Sequence, residues 1–154
     1  MRFAHVIATP IGLLTLVEED EKLTEIRFGE RLEGESRQAS SLLLQAESEL
    51  EEYFMGRRQR FTLPLAPKGT PFQKRCWQAL CDIPYGETRT YAQQAAMIGH
   101  AKACRAVGMS NHRNPIPIVI PCHRVIGAHG RLTGYAAGLT IKQTLLALER
   151  MHSR

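Results

Sequence analysis

The sequence contains no long hydrophobic run. No stretch of its 154 residues approaches the ~20 consecutive apolar residues that a membrane-spanning helix needs. Residues 1–10 also lack the long apolar centre of a secretory signal peptide. We therefore expect a cytoplasmic protein with no membrane partner.

Metal-binding cysteine patterns are absent as well. The four cysteines include no C-x-x-C pair, alone or followed by H-x-x-x-H, and this argues against a structural zinc site. Four cysteines in an intracellular chain of this length also argue against a disulfide framework. At least one thiol is therefore a candidate nucleophile, and the others are expected to be small core side chains.

Low-complexity segments and internal repeats are missing too. Hydrophobic residues make up 44% and charged residues 23% of the chain, which are globular proportions and exclude collagen-like and disordered classes. The length suits one domain or two small lobes, by the usual allowance of ~100–200 residues per domain.

Acidic residues are scarce in the second part of the chain. Residues 1–63 carry eight basic and twelve acidic side chains, a net charge of −4, whereas residues 64–154 carry twelve basic and three acidic, a net charge of +9. A sustained positive field favours a polyanionic partner such as nucleic acid. The alternative is a basic surface that only faces water.

The first part of the chain predicts a small antiparallel sheet followed by a helix. Three short strands joined by tight turns are expected at Phe3–Ala8, Leu13–Val17 and Leu23–Phe28. Residues 31–38 are polar and predict a loop. Apolar residues at helical spacing predict a helix over 39–55 that Gly56 ends. We assign residues 1–63 to an N-terminal supporting domain.

Residues 64–154 predict a second, mostly helical domain. The capping boxes Thr70-Pro71-Phe72-Gln73 and Thr90-Tyr91-Ala92-Gln93 open helices over 71–81 and from residue 91 to Gly99. Further helices are expected over 101–110 and 140–150. Two short helices across a glycine-containing turn are typical of a helix-turn-helix, although many such pairs only pack in a core.

One face of the predicted 101–110 helix carries almost no side-chain bulk. Ala103, Ala106 and Ser110 fall on it at helical spacing. Such a face can pack against another helix, or it can enter a narrow groove. The basic residues around it favour a phosphate-lined groove; they are Lys102, Arg105 and Arg113.

The segment from Asn114 to Ile126, N-P-I-P-I-V-I-P-C-H-R-V-I, contains the best candidate nucleophile. The alternating isoleucines predict extended chain as far as Pro121. A thiol reacts as its thiolate, and the adjacent His123 and Arg124 are placed in sequence to lower the pKa of Cys122. In a strand these neighbours would point to opposite faces, so a turn must present them together. The alternative is a buried cysteine beside a surface histidine.

This segment resembles the active-site signature of the O6-alkylguanine-DNA alkyltransferases. The similarity extends over roughly residues 69–149 and includes five further motifs in the family's order and spacing: Gly69-Thr70-Pro71-Phe72-Gln73, Ile83-Pro84-Tyr85-Gly86-Glu87-Thr88, Arg105-Ala106-Val107-Gly108, Gly134-Tyr135 and Gly138-Leu139. Residues 1–63 are similar only in layout. The resemblance implies an α+β fold, with a ribonuclease-H-like sheet and helix followed by a winged helix-turn-helix lobe.

The resemblance also implies catalytic roles. Cys122 would accept the alkyl group from O6 of guanine, and His123 would take the thiol proton through a water. Glu149 would orient the imidazole, Asn114 would hold the surrounding hydrogen bonds, and Tyr91 would give a proton to the departing guanine. The same resemblance implies that the substrate-binding residues are Tyr135, Lys142, Val125 and Ala136.

Double-stranded DNA, bound through its minor groove, is the partner that the family implies. Arg105 would replace the extruded nucleotide in the base stack, because a protein thiol cannot reach O6 inside a duplex. The other implied DNA-binding residues are Thr90, Lys102, Ala103, Ala106, Ser110 and Arg113. The product would be an S-alkyl cysteine, so each molecule would act once, as a monomer, with no cofactor and no metal.

One departure from the family pattern concerns the expected substrate pocket. Ala137 stands where a glycine is common, and its Cβ restricts positive φ. Two other functions remain open at this point. A lesion-binding protein on the same scaffold would not need Cys122, and a cysteine hydrolase using Cys122 and His123 would turn over repeatedly.

Overall fold

The computed structural model describes residues 1–153, which divide into two compact units, Met1–Lys68 and the residues from Gly69 onward. The sequence predicts a boundary after residue 63. Residues 64–66 lie with the first unit because Leu23 N donates to Pro64 O at 2.9 Å and Ala66 N donates to Leu23 O at 2.9 Å. Among the described residues, no helix has the length and apolar character needed to cross a membrane.

The first unit is built on a four-stranded sheet. Its strands are β1 (Arg2–Thr9), β2 (Gly12–Glu19), β3 (Lys22–Phe28) and β4 (Ser36–Arg37), in the order β3-β2-β1-β4. The three predicted strands are present and antiparallel, while β4 pairs parallel to β1 in a segment predicted to be a loop. Asp20 and Glu21 both have positive φ, at 52° and 64°, which suits the tight turn between twisted strands.

Helix α1 (Ser41–Phe54) packs against this sheet. The hydroxyl of Ser40 caps its first turn by accepting from Leu43 N. Its buried apolar side chains recur at helical spacing and form one face of the core; they are Leu43, Ala46, Leu50 and Tyr53. The predicted sheet and helix are therefore confirmed.

A buried ion pair fastens the irregular segment after β3 to the sheet. The two terminal nitrogens of Arg27 donate to the two carboxylate oxygens of Glu35 at 3.0 and 2.8 Å. The side chain of Glu35 is 0% exposed. The hydrogen bonds from Arg27 hold the pKa of Glu35 at about 2 in spite of its burial.

The second unit contains four helices and a two-stranded sheet. Its elements are α2 (Pro71–Cys81), β5 (Arg89–Thr90), α3 (Tyr91–Met97), α4 (Cys104–His112), β6 (Val125–Ile126) and α5 (Leu139–Met151). Both predicted capping boxes are formed, at Thr70 and Thr90. Helix α4 begins three residues later than predicted, because residues 101–102 form a turn. The α+β class is confirmed.

Buried polar groups hold α4 against α2 and α3. The indole of Trp77 in α2 donates to Ser110 O at 2.8 Å. The side-chain amides of Gln94 in α3 and Asn111 in α4 exchange two hydrogen bonds at 2.9 and 2.7 Å. Because these groups are buried, leaving one unpaired is costly, and the orientation of α4 is fixed.

The alternating isoleucines before Cys122 do not form an extended strand, contrary to the prediction. Ile116, Ile118 and Ile120 are all buried, but the chain turns between them, and Ile118 has a φ of 74°. A β-branched residue in this left-handed region is strained, by about 1–3 kcal/mol. Three buried side chains in one short turn offset that cost. The turn delivers the chain to a single 3-10 turn over Cys122–Arg124.

Replacing Glu35 with glutamine should destabilise the protein by about 3 kcal/mol, because the buried Arg27 loses its forked carboxylate partner, while its hydrogen bond to Glu25 at 2.7 Å remains. Chemical denaturation of wild type and variant at neutral pH measures the difference. Since the folded-state pKa of Glu35 is lowered from 4.5 to about 2, its stabilising contribution is complete above pH 4.5. We expect the difference between the two proteins to shrink as the pH falls towards 2.

Glu33→Gln is the matched control. Glu33 is also an acidic neighbour of Arg27, but its side chain is 54% exposed, so the expected loss is about 1 kcal/mol or less. Equal losses for the two variants would show that burial of the Arg27–Glu35 pair is not what stabilises this segment.

Candidate functional site

Cys122 lies at the start of the 3-10 turn and is 9% exposed. Burial raises the pKa of its thiol to about 11, although a hydrogen bond with the Asn114 side chain and the charge of Lys142 act in the opposite direction. At neutral pH the resting group is therefore a thiol. A reaction at this sulfur needs a base that takes its proton.

Asn114 ties together the two ends of the segment that leads to Cys122. Its amide nitrogen donates to Ile120 O at 2.7 Å, and its amide oxygen accepts from Ile116 N at 3.0 Å. The Cys122 N–H also donates to Ile120 O, at 2.8 Å. The hydrogen bonds of the Asn114 side chain and of the main chain around Ile120 therefore fix the position of Cys122.

His123 is fully buried and paired with Glu149 of α5. Its Nε2 lies 2.6 Å from Oε2 of Glu149. Burial lowers the pKa of His123, while the hydrogen bond and charge of Glu149 raise it, and the net shift is downward. Within the described chain, Nδ1 of His123 has no hydrogen-bond partner.

Glu149 is an ionised acceptor. Burial alone would raise the pKa of Glu149, but the hydrogen bonds and charges of His123 and Arg124 outweigh it and hold the pKa at about 2. A carboxylate only accepts hydrogen bonds, so Nε2 of His123 carries a ring proton. Because the pKa of His123 is lowered from 6.5, the ring is neutral at pH 7 and Nδ1 carries a lone pair that is available as a base.

Arg124 completes this cluster, and the sequence analysis missed its partner. Its Nε donates to Oε1 of Glu149 at 2.8 Å and its Nη2 to Oε2 at 3.1 Å. The sequence predicts that Arg124 acts on the pKa of Cys122, but the guanidinium pairs with Glu149. A buried arginine needs a carboxylate, and the scarcity of acidic residues in 64–154 limits the candidates to Asp82, Glu87 and Glu149.

Lys142 connects α5 to the loop that follows β6. Its ammonium is fully buried and donates to Val125 O at 2.6 Å and to Thr133 O at 2.8 Å. Burial lowers the pKa of Lys142, and the nearby thiol of Cys122, as a thiolate, would raise it. The Tyr91 hydroxyl donates to the same Thr133 carbonyl at 3.3 Å.

Two tyrosines lie within electrostatic range of the sulfur. Burial raises the pKa of Tyr91, and a charge on Cys122 raises it further. Burial also raises the pKa of Tyr135, with contributions from charges on Cys122 and Glu149. Both hydroxyls therefore keep their protons at neutral pH. Among the other predicted substrate-binding residues, Val125 is buried and contributes its carbonyl, and Ala136 is exposed.

Helix α4 presents an exposed basic face, with one correction to the prediction. Arg105 and Ala106 are exposed, as are Lys102 before the helix and Arg113 after it. Ser110 does not share this face, because it is 4% exposed and its carbonyl accepts from the Trp77 indole of α2. Helical spacing alone predicts Ser110 on the face and does not reveal this contact with α2.

The N-terminal ends of α3 and α4 carry the remaining predicted DNA-binding residues. Thr90 is the N-cap of α3 and pairs with Gln93 in the capping box. Ala103 is the N-cap of α4 and is half-buried. A Cβ added at Gly108 of α4 would lie 3.7 Å from the Tyr91 ring, so the middle of α4 passes directly beside Tyr91.

The site thus brings together all five predicted catalytic residues and two of the predicted substrate-binding residues in one cluster. Its members are Tyr91, Asn114, Cys122, His123, Tyr135, Lys142 and Glu149, with Arg124 added by the structure. Among residues 1–153, no group of three His, Cys, Asp or Glu side chains has an arrangement that could hold a metal ion.

Two family models match the chain, one to each unit. The DNA binding domain of 6-O-methylguanine DNA methyltransferase matches residues 71–151, and the ribonuclease-like domain of the same family matches residues 3–67. The second match confirms the predicted ribonuclease-like layout of the sheet and helix.

Whole-length relatives give the same result. The methylated-DNA–protein-cysteine methyltransferase of Methanosarcina barkeri is 48% identical over 160 residues, covering 99% of each chain. The constitutive enzyme of that name from Bacillus subtilis is 45% identical, covering 98% of this chain and 97% of its own.

Solved structures agree in fold. The crystal structure of Mycobacterium tuberculosis O6-methylguanine methyltransferase superimposes with a TM-score of 0.92 at 42% identity, covering 100% of this chain and 96% of that one. The crystal structure of Mycobacterium tuberculosis OGT in complex with DNA gives 0.92 at 43% identity, covering 97% and 94%. With matches to both units and along the whole length, the chain belongs to the 6-O-methylguanine DNA methyltransferase family.

Proposed function

We propose that this protein repairs alkylated DNA by moving the alkyl group from O6 of guanine to the sulfur of Cys122. The observation that carries the proposal is a buried Cys122 thiol that shares one 3-10 turn with a neutral His123 whose Nδ1 is free of protein partners. Relatives with 45–48% identity are named for this activity, and a structural relative was crystallised with DNA.

The proposed reaction is a direct displacement at the alkyl carbon. The sulfur of Cys122 forms a bond to that carbon as the carbon–O6 bond breaks, and the bonding electrons remain with guanine. The thiol proton passes to Nδ1 of His123 through a water molecule, and Glu149 balances the imidazolium that forms. General-base assistance of this kind is worth about 10²–10⁴ in rate.

Tyr91 would supply the proton that the departing guanine needs. An unprotonated guanine anion is a poor leaving group, and the Tyr91 hydroxyl keeps its proton at neutral pH because burial raises its pKa. The tyrosinate would then recover a proton from the His123 imidazolium. Thr133 O, which accepts from Tyr91 here, remains bound by Lys142 when Tyr91 turns to the base.

Each molecule would act once. The product is a thioether, whose carbon–sulfur bond has no good leaving group, so the alkyl group stays on Cys122. The mechanism uses no metal and no cofactor at any step. Repeated turnover on an ester or amide, as a cysteine hydrolase would give, is therefore not expected.

The exposed face of α4 is the proposed DNA contact, in the minor groove. Lys102, Arg105 and Arg113 supply positive charge. The small side chains of Ala103 and Ala106 allow the helix to approach the floor of the groove closely. Arg105 would fill the space of the extruded nucleotide, and Thr90 would contact the backbone. Because its side chain is buried, Ser110 is not included in this interface.

The two parts of the chain would have different roles. The residues from Gly69 onward carry eleven basic and three acidic side chains, a net charge of +8, together with the α4 face and Cys122, and we assign to them both DNA binding and alkyl acceptance. Met1–Lys68, with nine basic and twelve acidic side chains and a net charge of −3, would form a supporting domain. The protein would act as a monomer on duplex DNA.

Incubation with duplex DNA that contains O6-methylguanine should add one methyl group to the intact protein, and peptide mapping should place it on Cys122. Cys122→Ala should bind the same duplex and gain no methyl. The matched control is Cys81→Ala, which removes an exposed cysteine and should react fully. DNA binding without a mass change in the wild type would refute transfer and support a lesion-binding protein.

Lys102→Ala should weaken binding to duplexes of any sequence and reduce the slope of log affinity against log salt by about 1, because one phosphate contact is lost. Lys22→Ala, in β3 of the first unit, is the control and should leave the slope unchanged. If both lysine variants keep the wild-type slope, the face that includes Lys102 does not contact the DNA backbone.

A further inference from the structure

The guanidinium of Arg124 is held in place on several sides. Two of its nitrogens donate to the two oxygens of Glu149, and Nη1 donates to Ile83 O at 2.7 Å. Its central carbon lies 5.7 Å from the centroid of the Tyr85 ring, and the residue is 6% exposed. The forked contact fixes the carboxylate in orientation as well as in charge.

Glu149 therefore accepts hydrogen bonds both from Arg124, which is always charged, and from His123, which can become charged. A carboxylate 2.6 Å from a histidine ring nitrogen ordinarily favours the imidazolium form. An imidazolium has no lone pair, so a protonated His123 could not take the proton of Cys122. The site therefore needs the Glu149 carboxylate to orient the His123 ring, but the charge of that carboxylate must not raise the pKa of the ring so far that the imidazolium forms.

Arg124 resolves this conflict by charge balance. Arg124 and Glu149 are already a neutral pair, so a proton on His123 would leave a net positive charge in a buried space. Lys142, on the same helix as Glu149, adds to that penalty. Burial is the largest cause of the lowered pKa of His123; Glu149 raises that pKa, and the charges of Arg124 and Lys142 lower it further. The other titratable groups close to this cluster are Tyr85, Cys81, Cys122 and Tyr135.

We propose that Arg124 is a positioning residue that reserves His123 as a neutral base, by taking up the charge of Glu149 while leaving that carboxylate to orient the ring. The Nε2 hydrogen points to Glu149, and the Nδ1 lone pair receives the proton that leaves the Cys122 sulfur. The predicted change in the transfer rate rests on the proposed alkyl transfer. The predicted protonation state of His123 rests on the buried cluster alone.

The kinetic test measures the single-turnover rate of transfer from O6-methylguanine duplex between about pH 5.5 and about pH 9. Arg124→Met removes the charge, so His123 should be protonated at neutral pH and the acidic limb of the profile should move to higher pH. The rate at pH 7 should fall by about 10², the lower end of what a general base contributes, and should recover as the pH rises.

One further variant separates the charge of Arg124 from its forked contact, and another is a surface control. Arg124→Lys keeps the charge and loses the fork, so its acidic limb should stay near the wild-type position while the rate falls at every pH. Arg150→Met removes an exposed arginine of α5 and should match the wild type. A purely structural role for Arg124 predicts an unshifted limb in the methionine variant as well, and that result overturns the proposal.

Nitrogen NMR of histidine-labelled protein reports the ring directly, whether or not transfer occurs. In the wild type at pH 7, His123 should be neutral with its hydrogen on Nε2, and in Arg124→Met it should be an imidazolium. A wild-type imidazolium at pH 7 overturns the proposal even if Arg124→Met does not fold. A wild type that fails to transfer refutes the proposed function instead and leaves this measurement to decide the role of Arg124.

Discussion

A single buried carboxylate, that of Glu149, organises the chemistry of the second unit. Burying an isolated carboxylate costs several kcal/mol, and this cost is offset only if partners satisfy the charge. Glu149 accepts from the side chains of His123 and Arg124, and the Gly86 N–H lies 3.4 Å from its Oε1. These contacts join α5, the 3-10 turn and the turn after α2 at one charge. The direction of the His123 ring depends on it.

The cluster favours a neutral resting state at the reacting atoms. Burial raises the pKa of the Cys122 thiol and lowers the pKa of His123, so both groups resist charge until a substrate arrives. A thiolate–imidazolium pair would be more reactive towards any electrophile and more costly to bury. Keeping the proton on sulfur until an alkyl carbon lies beside it suits a protein that loses its only nucleophile in one reaction.

Much of this could be predicted from sequence, for physical reasons that differ by element. The capping boxes at Thr70 and Thr90 are local, so they were predicted correctly. The positive φ of Ile118 could not be predicted in this way, because it accompanies burial of the side chain in the core. The burial of Ser110 could not be predicted locally either, since its contacts are with Cys76 and Trp77 of α2, at least 33 residues away. The Arg124 partner lies 25 residues away, beyond any local pattern.

The most direct test of the neutral resting state is an ultraviolet titration of thiolate absorbance, with Cys122→Ala subtracted from the wild type. Since the pKa of Cys122 is raised to about 11, the two proteins should give the same absorbance from about pH 6 to about pH 9, because a thiol with that pKa stays protonated throughout the range. A difference signal with a midpoint below about pH 8 would mean that Cys122 rests as a thiolate. That result would contradict the account, because His123 would then have no thiol proton to accept.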